Sequence, residues 1–142
     1  MNIDQILEEK GSEIFKISSR ASLPEAAALM KNKNVGALLV GEADVYEGII
    51  SERDIVYAFG ETESERRLLT VADIMVRSEK LIVAEPDDHS KHVLAVMIQK
   101  GIRHMPVIDS GRIIGVLSIR DLVRSCIMRV SAKAHFLSDY LK

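Results

Sequence analysis

Two nine-residue strings in this chain carry side chains that could grip a small anionic molecule. Gly48-Ile49-Ile50-Ser51-Glu52-Arg53-Asp54-Ile55-Val56 returns 67 positions later as Gly115-Val116-Leu117-Ser118-Ile119-Arg120-Asp121-Leu122-Val123. Each copy sets a hydroxyl, a guanidinium and a carboxylate within four residues: Ser51, Arg53 and Asp54, then Ser118, Arg120 and Asp121. The apolar run before each serine reads as a strand, and the residues after it as a helix. The free N–H groups of such a helix start, together with its dipole, favour an anion. A carboxylate in the first turn can accept two hydrogen bonds, which suits the vicinal diol of a ribose, and the adjacent arginine can pair with phosphate oxygens. The set suits a nucleotide better than a metal, because no His/Cys/Asp cluster accompanies it.

A second reading of each copy needs no ligand. Ser-x-x-Asp at a helix start is a stabilising cap worth on the order of 0.5–2 kcal/mol. Capping does not account for the arginine, for the glycine three residues before the serine, or for the duplication. A self-similar period makes each half one unit that needs a neighbour to cover its apolar face.

The elements that must position these residues follow the same period. Residues 2–10 carry Ile3, Ile6 and Leu7 at helical spacing, stopped by Gly11. Ile14, Phe15 and Ile17 read as a short strand. Ser22-Leu23-Pro24-Glu25 has the form of a capping box, and Asn34 stands where a left-handed residue ends the helix. Strands are expected at 35–40 and 46–50, then a helix to about Phe59. In the second half, Ile82, Val83 and Ala84 read as a strand and Pro86-Asp87-Asp88 as a helix start. Gly101 reads as the helix stop; 103–108 and 113–117 read as a hairpin, with a helix from Ile119 to about Val130. Each half is therefore β-α-β-β-α, an α/β (α+β) class. The expected organisation is a first repeat over 1–60 with its N-terminal helix, a polar linker at 61–70, a second repeat over 71–130 and a C-terminal helix at 131–142.

Composition narrows the function classes. With 47% apolar and only 4% aromatic residues, the core must be aliphatic. Nineteen basic against twenty-one acidic residues leave a net charge of −2, which gives no field to hold a nucleic acid. Cys126 is the one cysteine, which excludes an internal disulfide and a cysteine-based zinc cluster; its apolar helical surroundings predict a buried thiol. His89 and His92 share a helix face but lack a third ligand, so they read as surface residues and no metal is expected. No apolar run reaches the length of a membrane span, and a cytoplasmic protein is expected. No general base or activated nucleophile accompanies the motifs, so no catalytic residue is assigned.

The chain resembles a tandem pair of CBS domains, the cystathionine-β-synthase type of regulatory module. Both copies fit the family's Gly-h-h-(Ser/Thr)-x-x-Asp-h signature, where h is apolar. Val71-x-Asp73-Ile74-Met75, the Pro86-Asp87-Asp88 stretch and Arg103-His104-Met105-Pro106-Val107 are further matches. The resemblance implies two repeats related by a pseudo-two-fold axis. It also implies clefts between them for adenosine-containing ligands: AMP, ADP, ATP, NAD(H) or S-adenosylmethionine. The motif aspartate would hold the ribose, with the motif serine near ribose or phosphate and Arg103, His104, Met105 and Pro106 lining the second site. Arg103 and His104 align with Gly36 and Ala37, so phosphate-bearing ligands are expected mainly at the Asp121 site. A homodimer and an unidentified regulated protein are the partners this implies. The competing expectation is a structural dimerisation module with vestigial clefts.

Overall fold

The computed structural model describes residues 1–11 and 13–141, with side chains described through Val130 apart from Ser12. In chain order its elements are α1 (Ile3–Lys10), β1 (Lys16–Ile17), α2 (Leu23–Lys33), β2 (Ala37–Val40), β3 (Gly48–Ser51) and α3 (Glu52–Ala58). They continue with α4 (Glu63–Leu68), α5 (Val71–Ile74), β4 (Val76–Arg77), a 3₁₀ turn at Ser78–Lys80, α6 (Ser90–Lys100), β5 (His104–Asp109), β6 (Arg112–Ser118) and α7 (Ile119–Leu141). The fold is mixed α/β, as the hydrophobic periodicity requires. Among the described residues no helix is long and apolar enough to cross a membrane. The chain forms two compact units, Ile14–Leu81 and Met1–Glu13 with Ile82–Lys142.

The unit Ile14–Leu81 is built on a four-stranded sheet in the order β1-β2-β3-β4. β1 runs parallel to β2, and the other pairs are antiparallel. Leu23, Ala26 and Met30 of α2 pack on Leu38, Val40 and Ile50 of the sheet and on Ala58 and Val71. The capping box at Ser22 forms as its sequence requires, and Asn34 ends α2 in the left-handed conformation at φ 55°. The segment expected as a linker contains α4 instead. Thr62 and Glu65 form a reciprocal capping box, Glu63 pairs with Arg67 one turn on, and Arg66 lies 4.6 Å from the Phe59 ring centroid.

In the other unit α6 and α7 pack on the β5–β6 hairpin. Met97, Met105, Val107, Leu117 and Leu122 form its core with Ile3, Ile6 and Leu7 of α1. Sequence adjacency placed α1 with the first repeat; in the structure it packs on the second. Its first turn is tied there by backbone bonds from Ile3 to Asp88 and from Asp4 to Pro86, both 3.0 Å. Conversely α5, which leads into the second repeat, is held on the first by Val71 N–H to Ala21 and Ala72 N–H to Ser19, each 2.9 Å.

Three further expectations change. Residues 82–84 do not form a strand; Ala84 alone bridges to Val107. In the first repeat the Leu39 N–H donates to the Phe15 carbonyl at 3.0 Å. The residue 67 positions after Leu39 is Pro106, which has no N–H to give Ile82, so the parallel ladder stops. Helix α6 begins at Ser90, not at Pro86-Asp87-Asp88, because the Asp88 carboxylate accepts the Glu85 N–H at 2.8 Å and closes a turn there. His89 then caps the helix, its Nδ1 accepting the Lys91 N–H at 3.1 Å. The terminal helix is not separate: α7 runs unbroken through residues 131–141.

Candidate functional site

Both repeated motifs fall at a strand-to-helix junction, the second strand of each hairpin running directly into a helix. The backbone around the two is superimposable in its bonding. Ala37 pairs with Ser51 and Glu52 N–H donates to Gly36 at 2.9 Å; 67 residues on, His104 pairs with Ser118 and Ile119 N–H donates to Arg103 at 2.8 Å. The register thus sets Arg103 and His104 beside Ser118, where the first repeat has Gly36 and Ala37. Met105 and Pro106 follow in the same strand. Both side chains are buried, Met105 in the aliphatic core, so only their backbone is available to a ligand.

The motif glycines are explained by close approach, not by unusual torsions. A Cβ on Gly48 would lie 2.3 Å from the Val76 carbonyl oxygen of β4, the neighbouring strand. A Cβ on Gly115 would lie 2.7 Å from Leu7 Cδ2, because α1 covers that strand. The glycine therefore admits the segment that leads into the other repeat.

At the first motif the Asp54 carboxylate accepts the Ser51 N–H at 2.8 Å and the Ser51 hydroxyl at 3.0 Å, while the Asp54 N–H returns to Ser51 Oγ at 3.3 Å. At the second, Asp121 Oδ2 accepts the Ser118 N–H at 2.8 Å, and Asp121 N–H donates to Ser118 Oγ at 3.1 Å. Both serines and both aspartates are thus helix caps, as the second sequence reading requires. Ser51, Arg53, Asp54, Ser118 and Asp121 are half-buried; Arg120 is exposed. The cap fixes each carboxylate at the mouth of its helix, where it stays accessible.

The second motif holds a cation that sequence reasoning missed. Lys10 Nζ lies 2.8 Å from Asp121 Oδ2 and 2.6 Å from the Val116 carbonyl oxygen. Burial alone would raise the Asp121 carboxyl. The Lys10 hydrogen bond, the Ser118 backbone bond and the Lys10 charge outweigh it, and the group sits below the ordinary aspartate value. No local pattern signals this contact across 111 residues. Among the described residues no cluster of His, Cys, Asp or Glu has the form of a metal site.

Comparison with known proteins finds the CBS domain twice in the chain, over residues 11–61 and 71–127. The protein belongs to the CBS-domain family. The mitochondrial CBS domain-containing protein CBSX3 of Arabidopsis thaliana is 33% identical over 121 residues, 83% of this chain and 59% of that one. The chain thus spans about three-fifths of that relative's length. The crystal structure of the CBS-domain protein ATU1752 from Agrobacterium tumefaciens superimposes with a TM-score of 0.82 at 26% identity, covering 88% of this chain and 98% of that one. The CBS domain pair of protein MJ0100, solved with 5′-methylthioadenosine and S-adenosyl-L-methionine, gives 0.77 at 25% identity over 91% of this chain and 98% of its own.

Proposed function

We propose that this CBS-domain pair is a non-catalytic regulatory module that binds adenosine-containing nucleotides and passes the change to a partner protein. The observation that carries the reading is the duplicated helix mouth. In each repeat a half-buried aspartate is locked by its own serine, with an arginine beside it, in a family where the MJ0100 pair was solved with two adenosine derivatives. Asp54 and Asp121 take the ribose hydroxyls; Arg53, and Arg120 with Arg103 and His104, face the substituent beyond. Candidate ligands are AMP, ADP, ATP, NAD(H) and S-adenosylmethionine. A reducing, cytoplasmic setting suits the free and exposed Cys126.

The test is a thermal-shift and calorimetric screen against those five ligands. A ligand at about 100 times its dissociation constant adds roughly 2.7 kcal/mol of stability. Asp121→Ala weakens binding by roughly 1.5–3 kcal/mol, the worth of charge-assisted hydrogen bonds. Unchanged affinity in both Asp54→Ala and Asp121→Ala removes the assignment.

Self-association accompanies the reading. On α7, Ile127 and Met128 are 58% and 64% exposed and, with Val123, Arg120 and Arg124, line an open surface depression. An aliphatic face of this kind suits a second copy of the chain. A stable dimer that answers no adenosine compound would favour the purely structural alternative.

A further inference from the structure

The Lys10 contact joins two parts of the chain that no motif connects, and it falls on the one carboxylate oxygen that the cap also uses. Lys10 stands in the last turn of α1, just before Gly11 ends the helix at φ 89°. The helix is not free to drift: Ile3, Ile6 and Leu7 are buried in the unit's core, and its first turn is bonded to Asp88 and Pro86. The side chains of Lys10 and Asp121 are only 29% and 17% exposed. The first repeat is built otherwise. The residue 67 positions after Lys10 is Arg77, which lies in strand β4 opposite Gly48 and not on a helix.

We infer that Lys10 sets the charge preference of the second motif, making it select adenosine ligands with an anionic 5′ substituent over the neutral nucleoside. This rests on the nucleotide-binding reading above. A ribose diol that engages both oxygens of Asp121 must draw on Oδ2, which already accepts Lys10 and the Ser118 N–H. The ammonium then gives up part of its hydrogen bonding to Oδ2 while the anchored helix keeps it at the site. Val116 O still accepts one of its protons. An anionic group on the ligand replaces the lost acceptor, whereas a neutral nucleoside offers the ammonium no such partner. Lysine suits this exchange, being a point charge on a flexible stem that can turn from one oxygen to another.

The experiment uses the full chain carrying Asp54→Asn, so that heat of binding reports the second motif, with AMP, adenosine and 5′-methylthioadenosine as probes. Lys10→Met keeps the aliphatic stem and removes the charge. Its AMP affinity falls by about 10-fold or more, since one charge-assisted bond is lost, while affinity for the two neutral nucleosides holds or rises. Lys10→Arg retains the preference for AMP, a rescue that a merely structural role for α1 would not produce, and circular dichroism melts verify that each variant is folded. An unchanged AMP-to-adenosine ratio in Lys10→Met, with binding intact, overturns the role of Lys10 and leaves the nucleotide reading standing. Failure of all three probes to bind any of the proteins overturns both.

Discussion

Adding one methyl group to each motif glycine should separate the two repeats. In Gly48→Ala the new carbon meets the Val76 carbonyl oxygen at 2.3 Å, about 1 Å inside ordinary contact, and also Met75 Sδ at 3.2 Å. The obstacle is backbone. It can yield only by moving β4 off β3, which strains the Gly48–Arg77 and Ile49–Val76 pairs. A cost of about 2–3 kcal/mol follows, at the upper end for overpacked sites. In Gly115→Ala the obstacle is Leu7 Cδ2 at 2.7 Å, the far end of a side chain that can change rotamer. Replacing a strand glycine also recovers about 0.5–1 kcal/mol of backbone entropy. The net loss should stay below about 1 kcal/mol. Native-state hydrogen exchange read by mass spectrometry checks this unit by unit: Gly48→Ala should lose protection across 37–51 and 76–77, and Gly115→Ala should change 104–118 little. Equal losses, or a larger loss from Gly115→Ala, would refute the argument from backbone contact.

Other outcomes follow from the same geometry. The Asp121 carboxyl lies below its ordinary value because the Lys10 and Ser118 interactions outweigh burial, so their contribution is full above the unfolded value of about 3.9 and is lost as pH falls through the folded one. The stability gap between the wild type and Lys10→Met, about 1 kcal/mol for a partly exposed pair, should therefore hold at pH 6 and close only as the pH falls below about 4 in urea titrations; a gap that widens on acidification contradicts the pairing. Ile127→Asp should convert a dimer to a monomer in light scattering while leaving the melting profile of dilute protein nearly unchanged. Cys126 is exposed, so it should react with a chromogenic disulfide in the native monomer, without denaturant.

That last point corrects the sequence reading, and the reason is geometric. The buried stripe of α7 passes through Leu122 and Ser125, and Cys126 lies one position beyond it. Residue type favoured burial; helix phase decided otherwise. Features set by near neighbours were readable: the Ser22 capping box, the left-handed stops at Asn34 and Gly101, the two hairpins and the serine–aspartate caps. What sequence could not show depends on distant partners. Nothing within residues 1–13 says that α1 packs beside α7. The strand expected at 82–84 fails for want of one donor on Pro106, which aliphatic patterning does not register. The same limit applies at the site. Ser118 and Asp121 announce themselves by spacing, whereas Lys10 is an ordinary surface lysine until the chain closes. Met105 and Pro106, grouped with the site by motif, turn out to fill the interior.

The crossed placement of α1 has a consequence for the order in which this protein can mature. Residues 14–81 form one compact unit from a continuous stretch of chain, whose partners are all made before residue 82. Ile3, Ile6 and Leu7 emerge earlier but have nowhere dry to go until Met105, Leu117 and Leu122 exist. A ring closed over so many residues is costly in entropy and slow to form. Helix α1 is made before the residues that cover it, and its apolar side waits for them.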